Sequence, residues 1–317
     1  MITTDPNVAV DVLARGDLCA IPTETVYGLG ALASNERAVA KVYEAKGRPA
    51  NHPLIVHIAD FSEVHEWIAD LPDWANTLAK HIWPGPLTLV GKRTPRVLDC
   101  VTGGQDTVAV RVPQHPLTLQ VLTELSSRGI GGVVAPSANR FGHVSPTTAQ
   151  HVEHDLGAYL SAHDGAILDG GPCTLGVEST IVLATGDDPV ILRPGGVTRK
   201  MISEMTEREV KDAVNKPRVS GSLASHYSPA AQVQLVSETE LAQSDEENSG
   251  VIAFAEINTP DAMVRLASPH TIEEFAQCLY AALRQADSLG LTTVYVVTPT
   301  DDGLAEAVRD RLTRAAH

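Results

Sequence analysis

The sequence is poor in the features that would place it in a membrane or outside the cell. Its 317 residues include four cysteines, scattered and without a CxxC pair, and only 4% aromatic residues. No apolar run reaches the length of a membrane span, and the N-terminus lacks the basic region and apolar core of a signal peptide. This pattern suits reduced thiols better than a disulfide framework. We therefore expect a cytoplasmic protein without membrane contact.

Positive charge is also scarce. The formal net charge is −15, and residues 229–317 hold 14 acids against 5 bases, whereas residues 1–200 hold 21 against 15. Binding a polyanion through its phosphates needs a basic face, which this composition does not favour. The cations that matter must be few and must act together in one place.

What is present is an α/β pattern long enough for two domains with real cores. Strand and helix signals alternate through residues 1–210. In residues 211–228 the apolar residues no longer recur at a regular spacing, and Lys, Ser and Gly are frequent, which predicts a linker. Residues 229–317 then read as strand, acidic loop, strand, helix, strand and helix. This order predicts a small Rossmann-like α/β domain.

The first strand-turn-helix-strand unit organises the rest of the chain. Apolar runs at 18–21 and 54–58 predict two buried strands. Between them we expect a polar turn containing the close glycines of 28–30, then a helix capped by Ser34 and ended by Gly47. The unit gathers its polar groups at one edge, which predicts a site for an anionic ligand.

The remaining elements follow from the same signals. They are a helix begun by Asp5-Pro6, two short helices across 61–83, a strand at 87–90, a strand at 107–112, a helix at 116–127, a strand at 131–135, a helix opened by Ser145-Pro146 and running through 155, strands at 165–169, 178–183 and 189–193, a helix from Thr198 to about 210, a strand at 251–255, a helix at 271–288, a strand at 293–298 and a helix at 302–315.

Two cations emerge where the first unit's helix ends. Lys46 and Arg48 could simply be cations favoured at a helix C-terminus. A binding role gains support because other polar residues lie at strand ends or strand-to-helix turns, where α/β proteins place their sites. These residues are Arg111, Ser137, Asn139 and Arg193.

Two further motifs give weak signals. Residues 28–33 have the G-x-G-x-x-A form of a dinucleotide-binding loop, but the first glycine lies too far from the preceding strand, so the glycines are expected to permit tight turns. His151 and His154 have ligand-like spacing without an evident third ligand, which favours a surface pair over a zinc site. No protein metal site is predicted.

Eight motifs occur in the order found in threonylcarbamoyl-AMP synthases. They are PTETVYGLG at 22–30, KGRP with PLIVH within 46–57, WPGPLT at 83–88, VRVP at 110–113, SAN at 137–139, GVESTIV at 176–182, LRPG at 192–195 and HYSP at 226–229. The chain resembles the YrdC-like members of this family that carry an extra C-terminal domain. The motifs cover about residues 20 to 229, and the acidic tail matches the longer form in size and place.

The resemblance implies a fold and a reaction. The fold is an α+β YrdC-like domain, a twisted mixed sheet with an open cavity over 1–210, followed by a linker and the Rossmann-like domain over 229–317. The reaction is a nucleotidyl transfer in which L-threonine, bicarbonate and ATP give threonylcarbamoyl-AMP and pyrophosphate. The product passes to a tRNA threonylcarbamoyl transferase, with no stable tRNA binding by this chain. Mg²⁺ is expected on ATP, held mainly by phosphate oxygens.

The resemblance also implies roles for individual residues. The ATP site would comprise Lys46, Arg48, His52, Thr107, Ser137, Asn139, Ser145, Arg193 and His226. Within it, Lys46 and Arg48 form the phosphate grip and the catalytic pair, since Lys supplies a point charge and Arg a planar fork. The threonine site would comprise Thr25, His57, Arg111, Ala135 and Ser179, with Arg111 and His57 on the carboxylate.

The linker departs from the family pattern. Relatives usually carry Pro-Gly-Met-Lys/Arg-Tyr before the His-Tyr motif, whereas this chain has Ser-Gly-Ser-Leu-Ala-Ser at 220–225. If this segment folds over the nucleotide, it brings no cation, although His226 and Tyr227 remain. Two rival functions stay open: a carbamoyl-adenylate enzyme of the hydrogenase-maturation type, and a non-catalytic RNA-binding module. The missing CxxC pairs count against the first and the acidic composition against the second.

Overall fold

Two β-sheets organise the chain. The computed structural model describes residues 1–212, 217–221 and 227–317. An 11-stranded sheet builds the N-terminal domain, and a four-stranded sheet builds the C-terminal domain, which we take as residues 232–317. A large mixed sheet followed by a small α/β domain is the predicted fold class, and it is confirmed. The limits placed above at residues 210 and 229 stay predictions.

The N-terminal domain alternates strands and helices. Its strands are β1 (Ile2–Thr3), β2 (Cys19–Ile21), β3 (Gly28–Leu32), β4 (Ile55–His57), β5 (Leu87–Lys92), β6 (Thr107–Arg111), β7 (Val133–Val134), β8 (Ala166–Leu168), β9 (Thr180–Leu183), β10 (Val190–Arg193) and β11 (Lys211–Asp212). Its helices are α1 (Pro6–Ala14), α2 (Glu36–Lys46), α3 (Val64–Trp67), α4 (Asp73–Ile82), α5 (Asp99–Thr102), α6 (Pro116–Ser127), α7 (Ala149–Ala162) and α8 (Arg199–Thr206).

The large sheet is mixed, with the order β1-β8-β2-β3-β7-β4-β6-β5-β9-β10-β11. β4 pairs in parallel with β6, so that His57 lies beside Arg111. β7 pairs antiparallel with both β3 and β4, while β5 pairs in parallel with β9. Segments distant in sequence therefore end side by side at the centre of the sheet.

The C-terminal domain is a parallel sheet with helices. Its elements are β12 (Gln232–Val236), α9 (Glu238–Ala242), β13 (Ser249–Ile252), β14 (Val264–Ala267), α10 (Ile272–Ser288), β15 (Thr293–Val297) and α11 (Leu304–Ala315). The strand order is β12-β15-β13-β14, and every pair is parallel. Helix α10 begins after the N-cap Thr271, whose side chain accepts from the backbone of Glu274. In the part of the chain that is described, no helix is both long and apolar enough to cross a membrane.

The polar turn predicted after β2 is shorter than the sequence predicted, because it covers residues 22–27 and excludes the two glycines. Gly28 and Gly30 lie in strand β3, and neither has a positive φ. A Cβ on Gly28 would lie 2.9 Å from the Cβ of Ala135, and one on Gly30 would lie 2.7 Å from the carbonyl oxygen of Cys19. The glycines are there because neighbouring strands approach closely, so the prediction that they permit tight turns was wrong.

Several predicted boundaries also differ. The cap of α2 is Asn35, whose side chain accepts from the backbone of Ala38, and not Ser34. Helix α7 begins after Thr148 rather than at Ser145-Pro146, and it runs to Ala162. Residues 145–147 are instead buried and belong to no helix or strand. Helix α9 and strand β14 were not predicted, because both are short and lack a strong apolar period.

The two domains share one apolar core. Val26 and Val177 of the N-terminal domain pack in the same cluster as Phe275 and Tyr280 of helix α10. Gly176 allows this approach, because a Cβ there would lie 2.5 Å from the carbonyl oxygen of Ala276. The C-terminal domain is therefore packed directly behind the segment that enters β9.

Candidate active site

A cavity opens at the centre of the mixed sheet, where β3, β4, β6 and β9 begin or end. The space between its walls, counted out to its open mouth, is about 530 Å³. Its lining residues are Thr23, Thr25, Val26, Gly28, Arg48, Ile55, His57, Arg111, Ala135, Pro136, Ser137, Glu178, Ser179, Arg193, Ser220, Gly221 and Tyr227. Eight of the predicted site residues are among them: Thr25, Arg48, His57, Arg111, Ala135, Ser137, Ser179 and Arg193.

Three buried arginines face this cavity. Arg48, Arg111 and Arg193 come from the turn after α2, from β6 and from β10. Each is less than a tenth exposed. Burying a guanidinium is unfavourable unless an anion or several acceptors compensate it. The three arginines together outnumber the two carboxylates in and beside the cavity, Glu24 and Glu178, and Glu178 is paired with a further arginine, so the cavity suits a ligand that carries negative charge.

Arg111 is held in place by Glu24. Its Nη2 lies 2.6 Å from Oε1 of Glu24, and its Nη1 donates to Oγ1 of Thr25 at 2.9 Å. The other carboxylate oxygen of Glu24 accepts from the backbone N–H of Gln114 at 3.0 Å. Thr25 in turn is 2.8 Å from the hydroxyl of Thr23. The PTET motif thus supplies both a counter-charge and hydroxyls around one guanidinium.

Arg193 ties the start of β9 to the linker. Its Nε and Nη2 both donate to the carbonyl oxygen of Ser179, and Nη2 also donates to the Ser179 hydroxyl at 3.1 Å. Its Nη1 donates to the carbonyl oxygen of Ser220 at 2.9 Å. The Ser179 hydroxyl is also 2.8 Å from Oγ1 of Thr88 in β5. Arg193 therefore fixes the position of Ser179 as well as contributing charge.

Arg48 keeps donor capacity for a ligand. Its Nη2 donates to the carbonyl oxygen of Pro53 at 3.1 Å and to the Ser220 hydroxyl at 3.3 Å. Its buried Nε has no hydrogen-bond partner among the described residues. Burial lowers the pKa of Arg48 to about 10, so the group stays charged at neutral pH. An unused, charged donor inside a cavity is suited to an anionic oxygen.

Lys46 lies behind the cavity rather than in its lining. Its ammonium group donates to the carbonyl oxygens of Ser137 and Asn139, both at 2.5 Å. Burial, reinforced by the charge of Arg48, lowers its pKa well below the usual lysine value. In this structure Lys46 holds the loop that brings Ser137 to the cavity.

Four other predicted ATP-site residues lie away from the cavity lining. The ring of His52 is edge-on to Phe141, Thr107 lines a separate small cavity beside Val219, and the Asn139 amide donates to the carbonyl oxygens of Arg140 and His143. Ser145 donates its hydroxyl to Glu178 at 2.6 Å. His226 lies outside the described residues. Their roles stay predictions.

His57 is neutral in the folded protein. It is buried beside Arg111, and its Nδ1 lies 3.2 Å from the carbonyl oxygen of Ile55. Burial, followed by the positive charge of Arg111, lowers the pKa of His57 to about 3. At neutral pH this side chain therefore contributes hydrogen bonding and shape, and it does not contribute charge.

This depressed pKa predicts a pH dependence of stability. Between about pH 6.5 and the folded pKa, the unfolded chain binds a proton at residue 57 that the folded chain does not bind, so stability falls as pH falls. In this range His57 lowers the free energy of unfolding by about 1.4 kcal/mol for each pH unit of acidification. Urea unfolding of the His57→Asn variant at pH 6.5 and 5.0 is expected to show a correspondingly smaller loss of stability than the wild type. His65→Asn, at an exposed position, is the control, and equal pH slopes in all three proteins would contradict the prediction.

Two carboxylates in and beside the cavity are already neutralised. Glu24 is paired with Arg111, and Glu178 is paired with Arg311 at 2.7 Å. Burial alone would raise the pKa of Glu178, but the charges of Arg311 and Arg193 outweigh it and lower the pKa to about 2. Within the described ranges, no three His, Cys, Asp or Glu side chains converge as a metal site. The donors of the cavity suit an anion and do not fit a cation held by protein ligands.

Sequence reasoning missed the acids of the site. Glu24 and Glu178 were quoted within motifs without a role, although both are almost fully buried. Arg311 and Tyr280, which bond Glu178 from the C-terminal domain, were not identified. A charged residue inside an apolar helical stripe, as Arg311 is between Val308 and Leu312, was the available signal.

The fold and this site define a two-domain α/β protein with a cation-lined cavity built for a small anionic ligand. Two family models together span almost the whole chain. The model described as "Telomere recombination" matches residues 11–195. The model described as "Threonylcarbamoyl-AMP synthase, C-terminal domain" matches residues 197–317.

Individual relatives agree with these family matches. The threonylcarbamoyl-AMP synthase of Bacillus subtilis is 38% identical, over 99% of this chain and 94% of its own length. That of Pyrococcus abyssi is 40% identical, over 98% and 93%. A crystal structure of P. abyssi Sua5 complexed with L-threonine aligns with a TM-score of 0.86 at 39% identity, over 98% of this chain and 94% of that one. The chain belongs to the threonylcarbamoyl-AMP synthase family.

Proposed function

We propose that this chain is an L-threonylcarbamoyladenylate synthase. It condenses L-threonine, bicarbonate and ATP to threonylcarbamoyl-AMP and pyrophosphate. The supporting observation is the convergence of Arg48, Arg111 and Arg193 on one cavity that also contains the hydroxyls of Ser137 and Ser179. ATP is an anion and threonine carries a carboxylate, and the cavity offers these two negative groups separate guanidinium groups.

The amino acid fits the side of the cavity formed by β4 and β6. Arg111 would bind the threonine carboxylate, with the neutral ring of His57 and the hydroxyl of Thr25 beside it. Ala135 and Ser179 would frame the side chain and amine. A site that satisfies the threonine hydroxyl and methyl favours threonine over serine, and one lost methyl is worth about 1–3 kcal/mol.

The nucleotide fits the side formed by Arg48, Arg193 and the Ser137 loop. Arg48 offers the unused Nε described above, and Arg193 lies next to the linker residue Ser220. Lys46 would act on the phosphates through the loop that it holds. Mg²⁺ would enter with ATP as part of the substrate and be held by phosphate oxygens, because the acids in and beside the cavity are already paired.

The reaction needs charge stabilisation and alignment more than a general base. The threonine amine adds to bicarbonate to form a carbamate with loss of water. A carbamate oxygen then attacks the α-phosphorus, and pyrophosphate leaves. The guanidinium groups would stabilise the charge that develops on the phosphate oxygens, and the buried walls would keep water from the labile carbamate. The product would pass to a tRNA threonylcarbamoyl transferase in the cytoplasm.

Pyrophosphate release from ATP is the decisive assay. Release by the purified protein is expected to require L-threonine and bicarbonate together, and serine is expected to support it 10- to 200-fold less well. Release that requires carbamoyl phosphate instead would support the carbamoyl-adenylate alternative. No release under any of these conditions, with tRNA retained on the protein at physiological salt, would support the RNA-binding alternative.

A further inference from the structure

A buried polar network connects the C-terminal domain to the rear of the cavity. Its centre is Glu178, which precedes Ser179 at the start of β9 and lines the cavity. Ser145 donates to Oε1 of Glu178 at 2.6 Å. Tyr280 of α10 donates to Oε2 at 2.9 Å. The network therefore joins both domains at a residue adjacent to the proposed threonine site.

Arg311 of α11 extends this network to two further segments of the chain. Its side chain is fully buried, and its Nε donates to Oε2 of Glu178 at 2.7 Å. Its Nη2 donates to the carbonyl oxygen of Pro194 at 2.9 Å. The guanidinium also lies over the ring of Tyr227, 5.5 Å from its centroid. Arg311 thus contacts three segments that border the cavity, although it does not line the cavity itself.

Two of the three contacted segments carry a proposed substrate-binding residue next to the contact. Glu178 is followed by Ser179, and Pro194 is preceded by Arg193. Arg193 and Ser179 bond each other directly. The planar guanidinium of Arg311 therefore holds both the residue before β9 and the residue after β10. A lysine could keep the charge opposite Glu178, but one ammonium group does not reproduce the fork.

We propose that Arg311 is a positioning residue through which the C-terminal domain sets the geometry of Ser179 and Arg193. This inference rests on the proposed function and adds a role for the C-terminal domain in substrate binding. A displacement of about 1 Å in a substrate-positioning group is enough to lower turnover by about 100-fold. A residue remote from the substrates would then control affinity for both of them.

Kinetics of the full-length Arg311→Met and Arg311→Lys variants test the proposal. A role limited to stability would reduce the fraction of folded enzyme, which lowers the apparent kcat and leaves both KM values unchanged. A positioning role raises the KM for threonine and the KM for ATP together. We expect both KM values to rise by about 10-fold or more in Arg311→Met, with Arg311→Lys intermediate. If Arg311→Met does not fold, the KM values of Arg311→Lys, which retains the charge opposite Glu178, still distinguish a positioning role from a role limited to stability.

Arg284→Met is the matched control. Arg284 of α10 also crosses the domain interface, where it pairs with Asp155 at 2.6 Å and donates to the backbone carbonyl oxygens of Val144 and Ser145. Among the described residues it makes no hydrogen bond to Glu178, β9 or β10. We expect this variant to melt at a lower temperature and to keep both KM values within about twofold. Wild-type KM values in both Arg311 variants, or an equal rise in Arg284→Met, would overturn the proposal. Calorimetric binding of ATP needs no turnover, so it separates this outcome from failure of the proposed reaction.

Discussion

Replacing Arg48 with alanine is expected to lower kcat/KM for threonine-dependent pyrophosphate release by about 10²- to 10³-fold. Arg48 lines the cavity with an Nε that has no hydrogen-bond partner among the described residues, whereas Arg193, the other arginine on the proposed nucleotide side, already uses all three of its nitrogens on Ser179 and Ser220. The fold should survive, because the carbonyl oxygen of Pro53 would keep its hydrogen bond from the Ser220 hydroxyl. Steady-state kinetics, with circular dichroism to confirm folding, provide the measurement.

Two comparisons make this prediction specific. Arg37→Ala removes an exposed arginine at the start of the same helix, and it should leave activity unchanged. Lys46→Ala should also abolish activity, but it should lower stability as well, since it leaves the buried carbonyl oxygens of Ser137 and Asn139 without their donor. Full activity in Arg48→Ala would remove the proposed phosphate grip.

Replacing Arg111 with methionine is expected to raise the KM for threonine by about 100-fold or more, with the KM for ATP changed only a few-fold. Arg111 would be the main partner of the amino-acid carboxylate, whereas other residues form the proposed phosphate grip. The variant should also lose about 3–5 kcal/mol of stability, because Glu24 would be left buried and unpaired. Initial-rate kinetics with each substrate varied in turn distinguish the two KM values.

Arg111→Lys separates binding from stability. Lysine keeps a positive charge opposite Glu24 but lacks the planar guanidinium that binds a carboxylate through two hydrogen bonds. Compared with Arg111→Met, this variant should therefore regain more of the stability than of the affinity for threonine. Arg128→Met, at a partly exposed surface pair with Glu124, is the neutral control. An equal rise in both KM values for Arg111→Met would show that Arg111 does not discriminate between the substrates.

The positions of the cavity arginines could be predicted from sequence because the sheet obeys simple rules. Arg111 and Arg193 each end a strand, and the residues at strand ends of an α/β sheet meet at common edges. Arg48 follows the glycine that ends α2, as the C-cap pattern predicts. These local signals identified Arg48, Arg111, Ser137 and Arg193, whereas Thr25, Ala135 and Ser179 were expected only from the family resemblance.

The supporting contacts could not be predicted in the same way. Lys46 and Arg48 are two residues apart, yet one faces backbone carbonyls and the other faces the cavity, a difference set by how the Ser137 loop packs on α2. The partner of Glu178 is 133 residues away. Neither periodicity nor spacing encodes such long-range pairing, which depends on the docking of two domains. The glycines of β3 likewise reflect a tertiary approach and no local turn.

The place of Arg311 within α11 has a consequence for how the protein is made. A growing polypeptide has already emerged with Glu178, Arg193 and the whole cavity lining before this arginine is synthesised. Until then Glu178 lacks its main counter-charge, and the start of β9 is not held from behind. Translation intermediates that end before α11 should therefore bind both substrates more weakly, and full substrate affinity is reached only when this helix docks.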